Sequence, residues 1–231
     1  MDGRMEQGSF AQTRDRLETY FDRTAARTWE ALTSDAPVSR IRATVRAGRD
    51  AMRARMLAAL PADLSGMRVL DAGAGAGQMA FELAERGAEV VAVDISPSLL
   101  KVARERMPAH LAGRITWRAG DMLDPVHGRF DHAVAMDSLI HYRPSDIARA
   151  LASLGDRVNR TVVFTVAPRT PLLSVMHLAG KAFPRADRSP AIVPVGEARL
   201  RRELKAVTNA RLASLGRVNS GFYISHALEM G

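Results

Sequence analysis

Asp71-Ala72-Gly73-Ala74-Gly75-Ala76-Gly77 constrains this chain more than any other stretch. The apolar run Met67-Arg68-Val69-Leu70 leads in, and a helix-like run from Gln78 to Ala84 leads out. Strand, glycine loop and helix in that order make up a nucleotide-binding α/β unit. Glycines permit the tight turn and let a ligand approach backbone N–H groups. The spacing then discriminates. A dinucleotide fingerprint, G-x-G-x-x-G, needs its third glycine at position 78, which is Gln78 here. The glycines run G-x-G-x-G instead, with an acid two residues ahead of the first. A phosphate is repelled by a carboxylate so near, whereas Asp71 suits a ligand with a positive end.

The 231 residues suffice for one α/β core with an appendage. The absence of cysteine excludes a disulfide framework, a thiolate metal site and covalent thiol chemistry. No stretch approaches the roughly 20 apolar residues of a membrane-spanning helix. The N-terminal segment, MDGRMEQGSFAQTRDR, is too polar for a secretory signal. A cytoplasmic protein is therefore expected. The formal charge of +8 is compatible with nucleic acid, anionic lipid or acidic substrates. However, no five basic residues are consecutive and aromatics make up only 5% of the chain, so no base-stacking platform is visible.

Apolar spacing predicts amphipathic helices over residues 10–33 and 39–60, separated by Ser34-Asp35-Ala36-Pro37. Leu17, Tyr20 and Phe21 mark the inner face of the first, and Ile41, Val45, Met52, Met56 and Leu60 that of the second. From residue 67 strands and helices alternate, the pattern of a parallel sheet. Strands are predicted at 67–71, 88–94, 115–119, 130–136 and 160–166. Helices are predicted at 98–105, with Ser96-Pro97 as the start, from Pro144 to about 154, and at 196–207. Residues 171–195, rich in proline, read as an excursion over the top of the sheet. Residues 210–228 alternate like two short strands with a turn at Asn219-Ser220-Gly221. The expected fold is α/β: a Rossmann-like, seven-stranded, mostly parallel sheet with a C-terminal antiparallel hairpin, an N-terminal helical cap and a lid-like insertion. The boundaries are 1–62 for the cap, 63–170 and 196–231 for the core, and 171–195 for the insertion.

In an open parallel sheet, ligands sit at the carboxyl ends of the strands. The first end carries Asp71, Gly73, Gly75 and Gly77. The second carries Asp94, suited to ribose hydroxyls, followed by Ile95. The third carries Gly120-Asp121-Met122, suited to an adenine amine, and the fourth Met136-Asp137-Ser138. The loop resembles the E/D-x-G-x-G-x-G loop of class I S-adenosylmethionine-dependent methyltransferases. The resemblance implies that Asp71 reaches the methionyl amino group through water, that the glycines give backbone room, and that Asp94, Ile95, Asp121, Met122 and Asp137 complete the cofactor site.

Further motifs narrow the acceptor. No N-P-P-Y-type sequence follows the fourth strand, which argues against methylation of exocyclic base amines. Tyr20-Phe21 with Trp29, the segment Asp137 to Tyr142, Ala167-Pro168-x-Thr170, and a run with Leu178, Gly180, Lys181, Phe183 and Pro184 resemble the magnesium-protoporphyrin IX O-methyltransferases of bacteriochlorophyll and chlorophyll synthesis. The resemblance spans about residue 17 to the C-terminus. Arg169 stands where lysine is expected, and Ala74 where many relatives carry cysteine. The resemblance implies esterification of a propionate of Mg-protoporphyrin IX, with S-adenosylmethionine as co-substrate and magnesium present only within the porphyrin. His141 on the acceptor side and Tyr20, on an N-terminal helix closing over the methionine end, are the candidate catalytic residues, and Arg143 and Arg169 are candidate propionate contacts; no protein metal site is expected. The resemblance also implies hand-over contacts with a Mg-chelatase and a cyclase, in the cytoplasm or at the inner-membrane periphery. A methyltransferase acting on a quinone, phenol or amine, a nucleic-acid-binding relative that keeps only the fold, and a catalytically silent subunit are the alternatives.

Overall fold

The computed structural model describes residues 3–20, 40–169 and 191–231. Its elements, in chain order, are α1 (Gly3–Tyr20), α2 (Arg40–Leu57), β1 (Arg68–Ala72), α3 (Gln78–Glu85), β2 (Glu89–Asp94), α4 (Pro97–Arg106), β3 (Ile115–Ala119), β4 (Phe130–Ala135), α5 (Pro144–Gly155), β5 (Val158–Val166), α6 (Glu197–Lys205), β6 (Leu212–Ser220) and β7 (Tyr223–Met230). The strands form one seven-stranded sheet in the order β3-β2-β1-β4-β5-β7-β6. The first five strands pair in parallel, while β7 runs antiparallel to both β5 and β6. This is the expected Rossmann-like sheet with its terminal hairpin.

The central strands are buried on both faces, as a parallel sheet between helices requires. Leu70, Ala72, Val91, Ala133 and Phe164 face α5 and α6; Val69, Val90, Val134 and Val163 face α2 and α3. Ser96 caps α4, its hydroxyl accepting the Leu99 N–H, and Pro97 opens the helix as predicted. β5 starts two residues earlier than expected because Val158 pairs with Phe130. The hairpin strands are longer than expected, at nine and eight residues, since β7 is paired along both edges.

Among the described residues, the two N-terminal helices pack on opposite faces of the sheet. Leu17 of α1 joins the cluster around α5, whereas Met52, Met56 and Leu57 of α2 join the cluster on the opposite sheet face. Amphipathicity shows that each helix has a partner but not which one. Residues 170–190, most of the expected insertion, and residues 21–39, with Phe21 and Trp29, lie outside the described residues. The insertion's last residues return across the strand ends: the Val193 N–H donates to Ile140 O and the Val195 N–H to Ala167 O, both at 2.8 Å.

Candidate active site

The carboxyl ends of β1 to β4 open into one cavity. Its wall includes Gly73 and Gly75 from the glycine loop, Asp94 and Ile95 after β2, Asp121 and Met122 after β3, and Asp137 and His141 after β4. Sequence reasoning names all of these residues as site candidates, and the structure brings them to one cavity. Gly73 has φ 87°, in the left-handed region, and a Cβ there would lie 2.4 Å from the Ser138 Cβ. The loop after β1 and the loop after β4 can touch only because this residue is glycine.

Asp94 is buried and holds the loop from below. Its Oδ2 accepts the Gly75 N–H at 2.7 Å and its Oδ1 the Ser96 N–H at 2.8 Å. Burial raises its pKa, and these two bonds oppose the rise. Asp121 Oδ1 accepts the Leu123 N–H at 2.9 Å, and its Oδ2 pairs with Arg14 at 2.8 Å.

Asp71 departs from expectation. It is buried and off the cavity wall, because β1 alternation puts it on the α3 side with Val69. It accepts the Ala80 N–H in the first turn of α3, while its Oδ2 has no hydrogen-bond partner. It thus satisfies a helix N-terminus rather than facing a ligand. Burial, with the Asp94 charge as a lesser cause, pushes its carboxyl up to about 7. The folded protein then binds the Asp71 proton more tightly than the unfolded chain. The resulting stability is complete below the ordinary value near 3.8 and is lost as pH rises through about 7. At 1.36 kcal/mol per pH unit the loss is about 4 kcal/mol. Thermal unfolding of wild type and Asp71→Asn across pH 4–8 is expected to show a steeper decline in the wild type; parallel profiles would refute this role.

Gly77 is also off the wall, starting α3 beside Trp117. Tyr20, Arg143 and Arg169 are not brought to the cavity. Tyr20 is half-buried about one turn beyond Leu17, the last wall residue of α1. Arg143 is exposed at the α5 N-cap, and Arg169 is exposed where its N–H meets Val195 O. His141 does line the cavity; its Nδ1 lies 3.3 Å from Ala191 O, and burial lowers its pKa.

Sequence reasoning missed which residues of the N-terminal helices line the cavity. Phe10, Arg14 and Leu17 of α1 roof the cavity, with Phe10 stacked on Tyr142 at 4.4 Å. With α1 in place the cavity holds about 110 Å³, below the roughly 300 Å³ at which ligand pockets begin. A ligand that takes the Asp121 carboxylate must displace Arg14. The Arg14–Asp121 pair resists this weakly: its side chains are 32% and 26% exposed, and such pairs are worth about 0–1 kcal/mol.

The Arg49–Asp137 pair is more firmly held. Arg49 Nη1 lies 2.6 Å from Asp137 Oδ2, with the side chains 19% and 7% exposed. Tyr223 of β7 donates its hydroxyl to the same carboxylate at 3.0 and 3.2 Å, and the Thr165 hydroxyl lies 3.3 Å from Oδ1. Asp137 has φ 56°, a left-handed conformation unusual outside glycine, held by its N–H bond to Thr165 Oγ1 at 2.8 Å. Next to Arg49, Gly48 lets α2 approach β7: a Cβ there would lie 2.6 Å from Tyr223 Cδ1.

Three acids around a glycine loop suit a ligand bearing hydroxyls, an amine and positive charge. Comparison with known proteins points the same way. Residues 135–231 match the family described as magnesium-protoporphyrin IX methyltransferase C-terminus, and residues 69–160 match a general methyltransferase domain. The chain is 52% identical over 221 residues to the magnesium-protoporphyrin O-methyltransferase of Rhodobacter capsulatus, covering 95% of this chain and 97% of that one. It is 28% identical to the Synechocystis protein of that name, over 92% of this chain and 94% of that one. The crystal structure of magnesium protoporphyrin IX methyltransferase from Synechocystis PCC 6803 with bound SAH superposes with a TM-score of 0.79 at 27% identity, covering 94% of this chain and 98% of that one.

Proposed function

The chain belongs to the magnesium-protoporphyrin O-methyltransferases, and from that membership we propose that it carries the methyl group of S-adenosylmethionine to a propionate carboxylate of Mg-protoporphyrin IX, giving the monomethyl ester. The observation that supports this most directly is the convergence of Asp94, Asp121 and Asp137 on one cavity, around a glycine loop whose Gly75 has open space where a Cβ would stand. When bound, the donor supplies a sulfonium methyl: the carboxylate oxygen forms the O–CH₃ bond as the S–CH₃ bond breaks and its electron pair stays on sulfur.

The protein's part is binding, orientation and exclusion of water. Asp94 takes the ribose hydroxyls with its remaining lone pairs. Asp121 takes the adenine amine once Arg14 gives way, with Ile95 and Met122 forming the apolar bed. A carboxylate is already nucleophilic at neutral pH, so alignment and desolvation carry the acceleration; alignment alone is worth up to about 7–11 kcal/mol. His141 is the acceptor-side residue. Burial keeps its imidazole neutral near pH 7. With Nδ1–H directed to Ala191 O, Nε2 is the ring's acceptor. His141 walls the acceptor side of the cavity and positions the incoming carboxylate rather than activating it. Magnesium remains part of the substrate.

Incubation with labelled S-adenosylmethionine and Mg-protoporphyrin IX, followed by chromatography, is expected to yield a labelled monomethyl ester; no such product overturns the assignment. In the same assay His141→Ala is expected to lower kcat by about 10²-fold through lost positioning of the carboxylate, with S-adenosylhomocysteine affinity unchanged. Wild-type turnover in that variant would remove the role. Among the described residues no helix is long and apolar enough to cross a membrane. Peripheral association with the inner membrane, and hand-over from a Mg-chelatase and to a cyclase, belong to the same proposal. They are supported by the apolar character of the macrocycle and the chain's charge of +8.

A further inference from the structure

We infer that Arg49 anchors the carboxylate at the methionyl end of the donor while Asp137 takes the neighbouring ammonium, so that the pair reads the amino-acid zwitterion as a unit. This rests on the donor site proposed above and assigns it a residue from α2, outside the glycine loop and the strand ends.

Sheet order fixes the direction in which the donor lies. Asp94 and Asp121 follow β2 and β3, on one side of β1, and Asp137 follows β4, on the other. With adenosine gripped by the first two acids, the amino-acid end lies over β1 and β4, beside Gly73 and Asp137. Arg49 belongs to the cavity wall at that end.

The chemistry matches. An α-amino acid carries one positive and one negative group on the same carbon. An arginine and an aspartate 2.6 Å apart on a cavity wall present the opposite charge to each. A guanidinium has five N–H donors in a fork that meets a carboxylate bidentately. A carboxylate has about four lone-pair sites, and Arg49, Tyr223 and Thr165 approach this one. Those contacts come from α2, β7 and β5, so the acid is set in place before any ligand arrives.

The competing account is a purely structural ion pair, and a pair of ligands separates the two. S-adenosylhomocysteine carries the amino-acid end; 5′-methylthioadenosine carries the same nucleoside and a thioether without it. Both are titrated calorimetrically into wild type, Arg49→Ala and Arg49→Lys. Arg49→Ala is expected to weaken S-adenosylhomocysteine by about 10–100-fold and to leave 5′-methylthioadenosine within about twofold. Arg49→Lys, which keeps the charge but loses the fork, is expected to fall between. Unaltered 5′-methylthioadenosine binding also shows that the variant is folded. Equal weakening of both ligands, or undiminished S-adenosylhomocysteine affinity, overturns the inference. Wild-type protein that binds neither compound overturns the donor site itself, and this inference with it.

Discussion

Asp94→Ala is expected to weaken donor binding by about 10²–10⁴-fold. The carboxylate does two jobs. It lines the cavity, and it accepts the N–H groups of Gly75 and Ser96 at 2.7 and 2.8 Å. A hydrogen bond to a charged group contributes about 1.5–3 kcal/mol, and a donor left unsatisfied on burial costs about 1–3 kcal/mol. Losing two such bonds along with the ribose contacts amounts to about 3–6 kcal/mol, which sets the range. Calorimetric titration with S-adenosylhomocysteine measures it, and circular dichroism monitors the fold. Wild-type affinity in this variant would mean that the donor does not lie at the end of β2.

Gly73→Ala is expected to cost about 2–4 kcal/mol of stability and to abolish methyl transfer. Two effects add. A residue with a Cβ pays about 1–2 kcal/mol for the left-handed backbone at φ 87°. The new methyl group also lies 2.4 Å from the Ser138 Cβ, so the loop after β4 must move, and Asp137 with it. For a domain of this size the loss corresponds to roughly 5–15 °C in Tm. The two effects can be separated. Adding Ser138→Gly removes the collision but not the backbone cost, so the double variant should recover part of the lost Tm. If Gly73→Ala alone melts like the wild type, the close packing of these loops is not as described.

The sheet was legible because its signals are local. Short apolar runs that end in Asp or Gly mark β1 to β4, and the run Thr161–Val166 marks β5. Ser96-Pro97 marks a helix start by its own chemistry. Asp94, Ile95, Asp121 and Met122 follow from strand-end logic alone. The face Asp71 takes follows from strand alternation: the residue two before it, Val69, packs on α3, and alternation carries Asp71 there too. The contacts of Arg14, Arg49 and Tyr223 were beyond local reading. Their acidic partners lie 107, 88 and 86 residues away in sequence, and no periodicity links a helical arginine to an acid after a distant strand. Tyr20 was read into the site from a motif; in the structure Phe10, Arg14 and Leu17 are the α1 residues on the cavity wall, with Tyr20 about one turn beyond.

The position of β7 bears on how this enzyme is made. The strand is translated after β6 yet inserts between β6 and β5, and its first residue, Tyr223, holds Asp137. A ribosome that has delivered the glycine loop and all five parallel strands still carries an incomplete catalyst, with the rim of β5 bare and sticky. Competence arrives in a single late step, when one strand both seals that rim and locks the key acid.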